Sequence, residues 1–312
     1  MPTSKPHTSK SHTSKPSSYQ VSVYPRATVL TVAGSDPSGG AGLQADLKTF
    51  HELGAYGMSA VALITVQNTL GVSHVETLSP KLLRDQLDAV RSDIPPRAIK
   101  TGALGTAENI HTVAEALADY RGAIVVDPVL ISKRGDRLAD DDCVAAYRDA
   151  LLPLATIATP NRHEVQALTG RLQKSEPTHT DFEAWIGSLT EMGVRCPLIK
   201  AGRVQDKRLH VLGLEEDFII IGVPDLPGVS DLPGVPDLPN GKCHGAGCCL
   251  SACITARLAI AAGDKPSDAE IREACEFAIL AVHTAISVGP KYGQGESPIE
   301  MRILRHAATE GR

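Results

Sequence analysis

No stretch of the sequence is an uninterrupted apolar run of the roughly 18 residues that crossing a bilayer requires, which leaves no candidate for a membrane-spanning helix. The first 20 residues also lack the apolar core of a secretory signal, so the chain is expected to be neither secreted nor held by a membrane partner. A basic excess is missing too. Lys and Arg number 31 against 36 Asp and Glu, for a net charge of -5 with only 21% charged residues, and no segment gathers enough cations to suggest a nucleic-acid partner. The seven cysteines, at 143, 196, 243, 248, 249, 253 and 275, form no paired metal-ligand framework, and their odd count in a chain this long argues against a disulfide scaffold. A reducing cytoplasm and a small-molecule partner are what these absences leave.

What is present is a large core. A chain of 312 residues with 42% hydrophobic content supports one α/β domain, expected over 26–312. Residues 1–25 are rich in Ser, Thr, Lys, His and Pro, repeat HTSK at His7 and His12, and carry too little apolar surface to offset ordering, so a disordered tail is expected there. Its prolines and its want of an amphipathic apolar face count against a transit peptide. From Ala27 apolar strand patterns alternate with helical ones. Strands are expected at 27–33, 60–66, 97–100, 123–127, 156–159 and 197–202, and helices from the 34–42 turn to Gly54 and at 80–92, 106–119, 139–151 and 179–193. Two short strands at 208–214 and 217–222 read as an antiparallel edge, and the last two helices as 248–262 and 267–288. The spacing predicts a mostly parallel sheet with helices on both faces. Residues 223–240 read VPDLPG, VSDLPG, VPDLPN, and proline in each unit forbids a helix or a central strand. This is an extended loop or disordered insertion, either a harmless repeat expansion or, placed just before Cys248, a gate.

Open α/β sheets bind ligands at their strand ends. The segment KCHGAGCCLSACITARLAIAA, 242–262, runs from a glycine-flanked turn straight into a helix. Gly245 and Gly247 permit close backbone approach, and the N–H groups of the new helix, around Ala246 to Cys248, make an anion site of the kind that holds phosphate. Cys248 at the first turn is where a helix dipole lowers a thiol's pKa, although an ordinary loop before a core helix fits a glycine pair as well. The turn Gly34 to Gly42 holds Asp36 at its centre, and Gln44 on the following helix offers one donor and one acceptor to a heterocycle edge, or else is a solvated surface side chain. AIVVD ends in Asp127, with Lys133 on the loop beyond. Asn161 and Glu164, three apart in TPNRHE, suit a hard cation such as Mg²⁺, or equally a helix cap with its capping carboxylate. Lys200, followed by Ala201 and Gly202, places a charge at the end of an apolar strand, where phosphate is an apt partner.

Taken together these pieces are more specific than any one. The chain resembles the hydroxymethylpyrimidine (phosphate) kinases of thiamine biosynthesis, within the ribokinase-like superfamily, from about Thr28 to Pro298. The matching stretches are TVAGSDPSGGAGLQADLKTFHELGAYGMSAVALITVQNT (31–69), IVVDPVLISKRGDRL (124–138), TPNRHEVQALTG (159–170) and HGAGCCLSA (244–252). The resemblance implies a ribokinase-like three-layer α/β/α sandwich and MgATP-dependent phosphorylation of the pyrimidine's hydroxymethyl group and of its monophosphate. It implies Gly34, Asp36 and Gln44 at the pyrimidine, Val129 on its face, Asn161 and Glu164 near the magnesium, Lys200 and the neighbouring Gly202 at ATP, and Gly245, Ala246, Gly247 and Cys248 as anion hole and catalytic turn. A homodimer is the expected assembly. The chain departs from the family pattern in reading KTGAL for KIGML, so that Ala103 widens the ring pocket, GAGCC for GTGCT, and IKAGR for a double-glycine form. Two alternatives stay open: a pyridoxal kinase of the same superfamily, and a non-catalytic pyrimidine-binding domain.

Overall fold

A computed structural model describes residues 27–130, 140–171, 177–204, 207–215, 217–223, 243–261 and 265–310. The expected tail at 1–25, Lys133 and the repeat segment after Val223 lie outside the described residues.

The strand β1 (Thr28–Ser35) is apolar on both faces because both faces are covered. It sits inside a nine-stranded sheet ordered β3-β2-β1-β4-β5-β6-β7-β8-β9, with β2 (Tyr56–Asn68), β3 (Gly71–Thr77), β4 (Ala98–Thr101), β5 (Ala123–Val126), β6 (Ile157–Ala158), β7 (Cys196–Val204), β8 (Lys207–Gly213) and β9 (Phe218–Val223). The six strands from β2 to β7 run parallel, and β3, β8 and β9 add antiparallel edges.

One face packs against α1 (Gly42–Glu52), α7 (Ala246–Ala261), α8 (Asp268–Ser287) and α9 (Ile303–Glu310). The other packs against α2 (Pro80–Asp93), α3 (Ala107–Leu117), α4 (Asp141–Ala146), α5 (Arg162–Thr169) and α6 (His179–Glu191). This is the three-layer sandwich that the alternation implies. Helix α7 is buried nearly all round, wedged between α1 and α8, which explains why its sequence shows no polar face.

Three expectations about elements are corrected. Strand β3 was not read from the sequence, because GVSHVET is almost wholly exposed and shows no apolar alternation. The helix expected over 139–151 is broken: α4 ends at Ala146, and a π turn at Tyr147–Leu151 gives way to a 3₁₀ turn at Leu152–Leu154, where Pro153 cannot donate. A further helix, α9, follows the pair expected to be last. Short strands β10 (Cys243–His244) and β11 (Ser297–Pro298) pair with each other just before α7 and so fix where that helix begins.

Candidate active site

The C-terminal ends of β1, β4, β5 and β7 and the N-terminus of α7 enclose a cavity of about 790 Å³. Ten of the residues expected at the site line it: Gly34, Asp36, Ala103, Val129, Asn161, Glu164, Lys200, Gly245, Gly247 and Cys248. Gln44, Ala246 and Gly202 do not line it.

At the end of β1 the chain turns about Asp36. Its carboxylate accepts from the Ser38 N–H at 2.9 Å and hydroxyl at 2.7 Å, from the N–H groups of Gly40 at 3.1 Å and Ala41 at 2.8 Å, and meets His244 Nε2 at 2.7 Å. Burial works against this charge, but the His244, Ser38 and Ala41 contacts outweigh it and hold the carboxyl well below the usual range. Asp36 is therefore a strut that ties the first turn to the segment before α7.

Gln44 belongs to the same strut. Its Oε1 accepts from the Asp36 N–H at 2.8 Å and its Nε2 donates to Ser35 Oγ at 2.8 Å, so the amide expected at a heterocycle edge is engaged by the turn instead.

Gly245 follows with φ +83°, and a Cβ there would overlap the carbonyl oxygen of Gly40. Only glycine fits a positive φ at so close an approach. The first bond inside the helix is Cys249 N–H to Gly245 O at 2.9 Å, so the N–H groups of Ala246, Gly247 and Cys248 precede the ladder and sit at the positive end of the helix dipole. Ala246 contributes this backbone while its own side chain packs on the core.

Of the seven cysteines, none in a disulfide, six are buried and Cys248 is half-buried. Cys249 turns inward to Thr49 Oγ1 at 3.2 Å. The expectation that the helix start lowers the Cys248 pKa is corrected. Burial pushes the thiol up, the Lys100 ammonium opposes that rise, the Asp46 and Asp127 carboxylates add to it, and the Gly42 N–H opposes it.

In the same cavity Lys200 Nζ donates to Asp127 Oδ1 at 3.0 Å and lies 3.9 Å from Glu164 Oε2. Burial disfavours the ammonium, but Asp127 and Glu164 outweigh burial, and Lys200 keeps its proton. Burial likewise opposes the Asp127 carboxylate and is outweighed by Lys200 and Lys100; Thr159 Oγ1 adds a hydrogen bond at 3.1 Å.

Asn161 and Glu164 form a full capping box on α5. Asn161 Oδ1 accepts from the N–H groups of His163 at 2.8 Å and Glu164 at 3.0 Å, while Glu164 Oε2 accepts from the Asn161 N–H at 2.7 Å. The Leu130 N–H donates to the same carboxylate. This donor set does not fit direct coordination of a magnesium ion, since the oxygens that would ligate it already accept backbone hydrogen bonds and the Lys200 ammonium stands beside them.

Burial, outweighing the pull of Lys200, raises the Glu164 carboxyl from its ordinary 4.5 to about 7. Between those values the folded state holds a proton that the unfolded chain has released, so stability falls as pH rises through that window. The melting temperature of Glu164→Gln should accordingly change less than that of the wild type between pH 4.5 and about 7. Equal slopes would place the source elsewhere.

Sequence reasoning missed two groups. Lys100, at the end of β4, carries the same signal as Lys200, a lysine closing an apolar strand. His244 carried no signal, because its partner Asp36 lies 208 residues away in sequence.

The model of one family, phosphomethylpyrimidine kinase, matches residues 36–300. The chain belongs to the phosphomethylpyrimidine kinase family. It is 36% identical over 275 residues, 88% of this chain and 96% of the relative, to a hydroxymethylpyrimidine/phosphomethylpyrimidine kinase of Rhizobium meliloti strain 1021. A crystal structure of a phosphomethylpyrimidine kinase from Clostridium difficile 630 superposes with a TM-score of 0.69 at 35% identity, covering 84% of this chain and all of that one (100%). The pyridoxal kinase of Staphylococcus aureus in complex with ADP superposes with a TM-score of 0.75 at 32% identity, covering 90% of this chain and 95% of that one. The phosphomethylpyrimidine kinase family thus supplies a phosphotransferase identity, and the sandwich is the ribokinase-like fold that the resemblance implied. Among the described residues no helix is long and apolar enough to cross a membrane.

Proposed function

We propose that the chain phosphorylates the hydroxymethyl group of 4-amino-5-hydroxymethyl-2-methylpyrimidine, its monophosphate, or both, with ATP, in thiamine biosynthesis. The observation that carries this reading is one cavity lined together by the Gly34–Asp36 turn, Val129, Lys200, Gly247 and Cys248. The family match and the 36% identity to a kinase of that name support it.

The ring is assigned to Gly34, Ala103 and Val129, and the triphosphate to Lys200, with Gly202 at the β7 bulge beyond it. ATP enters as its magnesium complex. Asn161 and Glu164, tied into the capping box of α5, shape that end of the cavity without serving as direct ligands. In the transfer, the acceptor oxygen forms a bond to the γ-phosphorus, the bond to the ADP oxygen breaks, and the hydroxyl proton passes to Cys248 in its thiolate form, which becomes the neutral thiol. The α7 N–H groups meet the charge on the transferred group.

Seven cysteines outside any disulfide support the cytoplasm as its location. Apolar Ile64 and Val66, 47% and 57% exposed on β2, are surface that a second copy would cover in a homodimer, and sedimentation of the purified protein tests this.

The second reading, a pyridoxal kinase, draws on the Ala103 opening and on the S. aureus superposition. A non-catalytic pyrimidine-binding domain is the reading of another class. ADP release with and without the pyrimidine separates catalysis from binding alone: the kinase reading requires release that depends on the acceptor, and release at the acceptor-free rate would overturn it.

A further inference from the structure

The outer half of β2 is patterned in reverse for a sheet edge. From Ile64 to Leu70 exposure alternates residue by residue, and the exposed positions include the apolar Ile64, Val66 and Leu70. The half-buried positions between them are polar: Thr65, Gln67 and, in the turn that follows the strand, Thr69. All three line the cavity. Side chains two apart share one face of a strand, so these residues form a single polar stripe, and each is tied to a different part of the rim. Thr65 Oγ1 donates to the Ser35 carbonyl at 2.9 Å, Gln67 Nε2 meets His244 Nε2 at 3.1 Å, and Thr69 Oγ1 accepts from the Gly295 N–H at 3.2 Å.

The tie at Thr69 is the closest fitted. Its carbonyl also accepts from the Glu296 N–H at 2.9 Å. Cβ atoms added at Gly293 and Gly295 would overlap Thr69 Oγ1 and the Thr69 carbonyl oxygen, so this segment approaches the turn as only bare backbone can. The segment is braced in turn. The Tyr292 N–H donates to Ser297 Oγ at 3.2 Å, and Ser297 and Pro298 form β11, paired with Cys243 and His244 of β10. A ring of contacts thus runs from Gln67 through His244 and β10 to β11, and back to the hairpin at Thr69.

We propose that Thr69 is a positioning residue for the acceptor, pinning the β2–β3 turn to Gly295 and Glu296 so that the hairpin stands as a fixed wall of the cavity. The proposal rests on the assignment of the ring to Gly34, Ala103 and Val129 in the proposed reaction. Strand β3 ends the sheet and is almost wholly exposed, so it has little packing of its own to hold it in place. Yet Val72, His74 and Thr77 of this strand line the cavity. Their placement depends on the ties along the polar stripe, and Thr69 supplies the one at the turn. The effect belongs to the acceptor end, because β1, β4, β5 and β6 stand between β2 and the strand β7 that carries Lys200.

Three variants separate positioning from a structural role. Thr69→Val keeps the shape and removes the hydroxyl acceptor, Thr69→Ser keeps the acceptor, and Gly295→Ala sets a methyl group against the Thr69 carbonyl. Amide hydrogen exchange over 69–77, read without ligands, is expected to be roughly fivefold faster in Thr69→Val, the protection lost with one hydrogen bond, and faster again in Gly295→Ala. With MgATP, KM for hydroxymethylpyrimidine rises by a similar factor in Thr69→Val, while kcat and KM for ATP stay within about twofold and Thr69→Ser restores the wild-type value. Should Gly295→Ala fail to fold, the two Thr69 variants still decide. An unchanged KM for the acceptor, or equal rises in both KM values, overturns the proposal and makes the tie structural. Loss of pyrimidine-dependent turnover in the wild type would overturn the assigned reaction, whereas intact turnover with unchanged exchange overturns the role of Thr69 alone.

Discussion

Cys248→Ala lowers turnover by roughly 10²- to 10⁴-fold, the range for loss of a general base, with ATP binding little changed. The acceptor alcohol must lose its proton as the in-line transfer proceeds, and among the cavity-lining groups Cys248 is the one placed on the first turn of α7, beside the N–H groups that meet the phosphoryl oxygens. Cys249→Ala is the internal control. Its thiol faces Thr49 in the core at 3.2 Å, so that variant turns over near the wild-type rate and at most loses some stability. Cys248→Asp retains more activity than Cys248→Ala if proton abstraction is the role. The pH dependence carries a sign as well: burial raises the thiol, so wild-type turnover increases with pH above neutrality, and the aspartate variant loses that dependence. Wild-type turnover in Cys248→Ala would leave catalysis to the backbone donors alone.

Gly245→Ala is expected to be the most damaging glycine-to-alanine change among the described residues. The residue has φ +83°, and its new Cβ would overlap the Gly40 carbonyl oxygen, so neither the turn before α7 nor the Asp36 turn it rests on keeps its place. Left-handed backbone strain plus the displaced contact cost about 2–4 kcal/mol. Because both turns border the cavity, even a shift near 1 Å lowers turnover by ~100-fold. Denaturant melts and steady-state rates read the two effects together. Gly247→Ala is the comparison: its Cβ meets nothing nearer than Lys200 Nζ at 3.6 Å, an ordinary contact, so stability stays close to wild type. Equal stability loss in the two variants would contradict this account of the turn.

The parallel core was legible in the sequence because each of its strands is apolar and each helix between them repeats at helical spacing, as β1, α1 and α3 show. Strand β3 was not, since a hairpin that covers a cavity buries neither face and carries no alternation. The break after α4 turns on Pro153, a single residue whose effect a periodic pattern averages away. At the site, strand-end placement correctly marked Asp36, Lys200 and Cys248 as lining the cavity. What these groups are bound to could not be read, because their partners come from distant segments: His244 for Asp36 and Asp127 for Lys200. The same limit explains Gln44 and the capping box at Asn161. Both residues carry chemistry that suits a ligand, and in both the backbone of their own turn takes it first.

Substrate choice is where the family resemblance and the Ala103 opening pull apart, so the most direct test is a steady-state comparison with MgATP of hydroxymethylpyrimidine, its monophosphate and pyridoxal as acceptors. The account predicts that kcat/KM is highest for the pyrimidine or its phosphate. A preference for pyridoxal of more than about tenfold, some 1.4 kcal/mol of transition-state stabilisation, would contradict it.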